Sequence, residues 1–162
     1  MKTFISLALL LSTLLIIQVL GGCVTLPQQP IIQNTITIDA PFDQVWTAVV
    51  STIADISMPI ESIEKDSGLI TTKVVVFVSG YAVAGAIDQV AEKPNVVAGT
   101  WKHGRYSFNI FVSSIDENTT KIKINSQIDA YVELGTMIMS WYRCYSKGVI
   151  EKQIFDSIKA KL

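Results

Sequence analysis

Two stretches in the second half of the chain alternate strictly between apolar and polar positions. Tyr106, Phe108, Ile110 and Val112 interleave with Arg105, Ser107, Asn109 and Ser113, and Ile122, Ile124, Ile128 and Ala130 interleave with Lys121, Lys123, Asn125, Gln127 and Asp129. A period of two puts each apolar set on one side of a strand, and the polar run Asp116-Glu117-Asn118-Thr119 between them predicts an antiparallel hairpin with one wet face. Earlier, Thr35 to Ile38 alternates as a short strand. Phe42, Val45, Trp46, Val49, Ile53 and Ile56 then recur at three- and four-residue steps, the stripe of an amphipathic helix. Pro41 suits its first turn, Asp39 or Asp43 complements its dipole, and Pro59 stops it. Ile60 to Glu64 reads as a short strand, Lys65 to Gly68 as a turn, and Leu69 to Val78 as one further strand. Val149, Ile150, Ile154, Ile158 and Leu162 mark a closing helix from about Ser146, its expected cap, to Ala160.

The expected fold is therefore α+β: a small antiparallel sheet of about five strands, in the order β-α-β-β-β-β-α, packed against a long C-terminal helix. Two apolar segments have no place in that minimum. Residues 81–91 have helical spacing through Val83, Ile87 and Val90, and residues 134–145 join the last strand to the last helix with Met and aromatic side chains. Met137, Met139 and Trp141 could form an exposed, adaptable partner surface, or the segment could close the open end of the sheet as core.

The start of the chain is of another kind. Met1-Lys2 is followed by a run from Phe4 to Leu20 that is apolar but for four hydroxyl or amide residues, then by Gly21-Gly22-Cys23. A positive start, an apolar core and small residues read as a secretory signal peptide over 1–22. The run approaches the lower limit for a spanning helix, and Cys23 decides against that alternative. Leu20-Gly21-Gly22-Cys23 resembles a bacterial lipobox, which implies lipidation of Cys23, cleavage before it, and a diacylglycerol anchor with further acylation. Several acyl chains hold a protein firmly where one does so only marginally. Val24 follows, where Asp is the residue associated with inner-membrane retention, so the resemblance implies the outer membrane, or the cell membrane in a host with a single one. Residues 23–34 then read as a lipidated N-terminus and flexible tether reaching at most ~35 Å, and 35–162 as one domain.

Composition narrows the chemistry. Of 162 residues 17% are charged and the net charge is −1, which excludes a general electrostatic affinity for nucleic acid. After the leader there remain one histidine, His103, and two cysteines, Cys23 and Cys144. They are too few for a zinc site of the usual His/Cys type, so neither metal nor cofactor is expected. With Cys23 lipidated, Cys144 has no partner within the chain and reads as a small buried hydrophobe. Glu61 and Glu64 should face opposite ways in a strand, so they form no acid/base pair. Residues 80–85 lack the lysine of a phosphate loop, and no nucleophile motif accompanies His103. Trp101-Lys102-His103-Gly104-Arg105 groups three cationic or titratable side chains with an indole just before the hairpin. As a loop it could take an anionic ligand; a solvated loop with Trp101 capping the core is the plainer reading.

Residues 38–46 (Ile-Asp-Ala-Pro-Phe-Asp-Gln-Val-Trp) and 60–70 (Ile-Glu-Ser-Ile-Glu-Lys-Asp-Ser-Gly-Leu-Ile) resemble the opening of the helix-grip domains of barrel-assembly component C (BamC-like) and related bacterial lipoproteins, within the START-like class. The resemblance implies a helix-grip fold and a periplasm-facing, non-enzymatic binding or scaffolding role among envelope proteins. The competing expectation is a carrier or sensor of a hydrophobic small molecule held between the sheet and the C-terminal helix.

Overall fold

A computed structural model describes residues 29–162 other than 81, 97–98 and 135–137, with the backbone alone described at Leu134, Ile138 and Met139. The elements run β1 (Thr35–Ile38), α1 (Phe42–Asp55), β2 (Ile60–Glu64), β3 (Leu69–Thr72), β4 (Val75–Ser79), α2 (Val83–Val90), β5 (Ala91–Glu92), β6 (Thr100–Asp116), β7 (Thr119–Leu134), β8 (Ile138–Ser146) and α3 (Val149–Lys159). The alternating segments form the hairpin their pattern predicts, with Tyr106 opposite Ile128, Ile110 opposite Ile124 and Val112 opposite Ile122. The strands are longer than the alternation alone indicates, 17 residues for β6 and 16 for β7.

That length sets the topology. Each long strand has an outer edge that no single neighbour covers, and two short strands share it end to end. Along β6, β3 pairs with Asn109 to Phe111 and β4 with His103 to Tyr106. Along β7, β1 pairs with Thr120 to Lys123 and β8 with Ile128 to Leu134. β2 continues outward from β3 and β5 from β8, giving one antiparallel sheet of eight strands.

This corrects the expectation of a small five-stranded sheet against a long C-terminal helix. The three helices among the described residues are short, and α3 has only 11 residues, fewer than the 14 of α1. The expected strand over Leu69–Val78 is two strands, because the chain leaves β3 at Lys73, whose N–H bonds to the Pro59 carbonyl at 2.8 Å, and rejoins the sheet as β4. The segments without a place supply α2, β5 and β8, and these extend the sheet toward the open end of the hairpin. The closing helix begins at Val149 rather than Ser146. Ser146 Oγ instead accepts the Gly148 N–H at 3.0 Å, and Gly148 leads into the helix at φ +79°, a conformation that favours glycine.

The three helices of the described residues lie on the face that carries the apolar set of β6 and β7. Near the turn, Trp46, Val49 and Ile53 of α1 and Ile154, Phe155 and Ile158 of α3 pack on Ile70, Phe108, Ile110, Val112, Ile122 and Ile124. Toward the open end, Val83 and Ile87 of α2 pack with Ala91, Ile128, Ala130 and Cys144, so the segment 81–91 is core. Tyr106 and Ile150 border both cores. Gly104 interrupts the β6 alternation for a steric reason, since a Cβ there would lie 2.8 Å from the Phe77 ring. One charged group is fully buried under this layer. Glu151, in the first turn of α3, accepts a hydrogen bond from Ser126 Oγ.

Candidate functional site

The opposite face of the sheet carries no helix among the described residues, and its most structured part lies on β6, β7 and β8. Arg105, Asp129 and Arg143 occupy one cross-strand row, a consequence of the register that sets Asp129 opposite both arginines. Arg105 Nε donates to Asp129 Oδ2 at 3.2 Å, Arg143 Nε to Oδ1 at 2.8 Å, and Gln127 Nε2 to Oδ2 at 3.0 Å. The two guanidinium groups roof the carboxylate so well that Asp129 is only 6% exposed on an otherwise open face. Burial pushes its pKa up, but the hydrogen bonds from Gln127, Arg143 and Arg105 and the charge of Arg143 outweigh that and hold the carboxyl below its usual value.

The adjoining row is aromatic. His103, Tyr131 and Trp141 sit side by side, with ring centroids 5.6 Å apart for the first pair and 5.3 Å for the second. Arg105 bridges the rows, its guanidinium carbon 3.9 Å from the Trp141 ring centroid. One row further out, Lys102 pairs with Glu133 at 3.3 Å.

This geometry suits contact better than chemistry. Asp129 is saturated with donors and held ionised, so it is a poor general base. Its effect is to fix two arginines. Each bonds it through Nε, which leaves the terminal amino groups without hydrogen bonds among the described residues and able to meet an anion. Trp141 lies beside them, 38% exposed.

The two segments singled out in the sequence therefore meet on one face. The stretch Trp101 to Arg105 is strand rather than loop. Lys102, His103 and Arg105 join the outward network, while Trp101 turns inward to the second core, with Lys93 Nζ 5.5 Å from its ring centroid. Of the suggested partner surface, Trp141 is in the site. Met139 lies opposite Glu133 on β8 with its side chain undescribed, and Met137 lies outside the described residues, as does Cys23. Sequence reasoning missed Asp129, Tyr131 and Arg143. The signal was the alternation of Met139, Trp141 and Arg143 with Ser140, Tyr142 and Cys144, legible only once residues 138–146 are read as a strand.

Cys144 faces the second core. It is 3% exposed, and burial, then the charge of Asp129, pushes its thiol pKa up to about 11, so it is an inert packing group at neutral pH. Between the sheet and α3 there is a cavity of about 160 Å³ lined by Met58, Tyr106, Ile150 and Ile154 among others. A second, of about 290 Å³, opens where β1 and β8 leave a gap along β7, lined by Gln29, Asn34, Asn125, Ser126 and Arg143 among others. No family model matches the chain, and no curated protein matches it.

Proposed function

We propose that the protein is a non-enzymatic cell-envelope lipoprotein, a binding or scaffolding module anchored through Cys23 on the periplasmic side of the outer membrane, or in the cell membrane of a host with one membrane. The anchor rests on Leu20-Gly21-Gly22-Cys23. Its contact surface is the open face of β6, β7 and β8. The observation that carries this reading is the buried Asp129 holding Arg105 and Arg143 beside the exposed Trp141, an arrangement that presents cations and an indole on strands already fixed by the sheet.

The carrier reading is the weaker one. A small-molecule site needs ~300–1,000 Å³ with a few convergent polar groups, and the space between sheet and α3 is about 160 Å³. Phe108, Ile110 and Ile154 fill that interior instead.

Replacing Cys23 with Ser tests the anchor. The variant should remain an uncleaved precursor lacking lipid, since lipoprotein cleavage follows thioether formation. Normal processing and unchanged mass relative to a lipidated chain would contradict it. Arg105→Ala with Trp141→Ala tests the face and should abolish envelope crosslinks while membrane attachment through Cys23 persists.

A further inference from the structure

Charge on the open face is segregated from that of the chain. Overall the carboxylates outnumber the cations by one, 14 to 13. On the outward positions of β6, β7 and β8, Lys102, Arg105, Lys121, Lys123 and Arg143 stand against Asp116, Asp129 and Glu133, and Asp129 and Glu133 are in ion pairs. Lys121 and Lys123 are exposed and have no ion pair among the described residues. Between these cations the face is neutral and polar, with Asn109, Ser113, Asn125 and Gln127, and it carries two large exposed rings, Phe111 beside Lys123 and Trp141 beside Arg105, each 38% exposed. Cations interspersed with exposed aromatic rings are the composition of a membrane-interfacial surface.

The course of the chain points the same way. Contacts with the domain reach back before β1: Asn34 accepts the Ile124 N–H at 2.8 Å, and Gln29 lines the same cavity as Asn125 and Arg143. Gln29 follows Cys23 by six positions in the chain, a span of at most ~20 Å. A lipid on Cys23 would therefore hold the domain by its Arg143 corner, within one short segment of the headgroups.

From this we infer that the open face docks on the anionic phospholipid surface of the membrane into which Cys23 is anchored, with Lys121, Lys123, Arg105 and Arg143 meeting phosphates and Trp141 entering the headgroup layer. The inference rests on the lipoprotein reading and names the partner of the same face. Docking turns the helix-covered face away from the membrane.

The test uses the full mature chain extracted from membranes, its mass recorded to establish the lipid on Cys23, and reconstituted in vesicles of equal parts phosphatidylcholine and phosphatidylglycerol or of phosphatidylcholine alone. Some of the phospholipid carries bromine at the upper end of its acyl chains, where it quenches indoles at the interface. Trp46 is buried and Trp101 faces the second core, so the quenching lost in Trp141→Phe belongs to Trp141. Quenching of Trp141 should be strong in the anionic vesicles, weak in neutral ones, and reduced by salt. Lys121→Gln and Lys123→Gln, both exposed and structurally bland, should each weaken the docking equilibrium about fivefold.

In a chain whose mass shows the lipid, absence of Trp141 quenching, equal quenching in the two vesicles, or indifference to the two lysines overturns the inference and leaves the anchor standing. A crosslink in the native envelope from position 141 to a protein instead of to lipid also overturns it. A mass without lipid on Cys23 removes both readings together.

Discussion

The turn half and the open half of the β6–β7 hairpin are made from the same two strands and are stabilised in different ways. Near the turn, α1 and α3 cover one face with a core that includes Trp46, Phe108 and Phe155, and the other face is uncomplicated, with Thr35, Asn109, Ser113 and Lys121. At the open end, the eight residues of α2, with Ile150 of α3 at the border, cover a small core around Ile87, Ile128 and Cys144, while the uncovered face carries the row Arg105–Asp129–Arg143 across three strands. Apolar burial is non-directional and tolerates sliding, whereas a carboxylate with three oriented donors favours one register. The open half thus substitutes directional polar contacts for part of the packing it lacks. Those contacts also hold Arg105 and Arg143 beside Trp141 on the open face.

The largest effect that separates the two halves is a charge placed in the fuller core. Ile124→Asp should cost on the order of 5 kcal/mol, comparable to the whole stability of a small domain, and prevent folding. Lys123→Asp, one residue away on the opposite face, should stay within ~0.5 kcal/mol. Circular dichroism melts of the two variants check this, and similar behaviour would contradict the register of β7.

A cavity in the thinner core should cost less and stay local. Ile87→Ala is expected to destabilise by ~2–4 kcal/mol. Hydrogen exchange should show protection lost in α2, β5 and β8 while α1 and the turn end of the hairpin keep theirs. Loss spread evenly over the chain would mean that the halves form one cooperative unit.

The polar row gives the smallest change, and its contribution depends on pH. Asp129→Asn should cost ~1–3 kcal/mol, since it removes the negative charge and one of the two acceptor oxygens between the guanidinium groups. The folded carboxyl titrates below its unfolded value of ~3.9, so its contribution is complete above that pH and disappears as pH falls through the lowered folded value. Melting temperatures between neutral pH and pH ~3 should therefore fall more steeply for the wild type than for Asp129→Asn, and the two curves should converge in acid.

These contrasts also explain which parts were legible. The hairpin register and α1 are written in local periods, as Tyr106 to Val112, Ile122 to Ala130 and the Val45–Trp46–Val49–Ile53 stripe show. β8 was hidden because Ile138, Met139, Trp141 and Tyr142 are apolar at both parities, which erases a period of two. The break between β3 and β4 was hidden inside the continuous run Val74-Val75-Val76. Gly104 made a strand look like a loop, and its reason, the Phe77 ring, lies on another strand. The site depends on the joint register of β6, β7 and β8, so no single segment could announce it.

The central claim is that the face bearing Trp141 is the one that meets the envelope. A photoreactive residue placed at position 141 of the full chain, and in a second protein at the exposed position 153 on α3, tests it in native membranes. Adducts from 141 and none above background from 153 are the expected result. Equal yields from both positions, or adducts from 153 alone, would contradict the account.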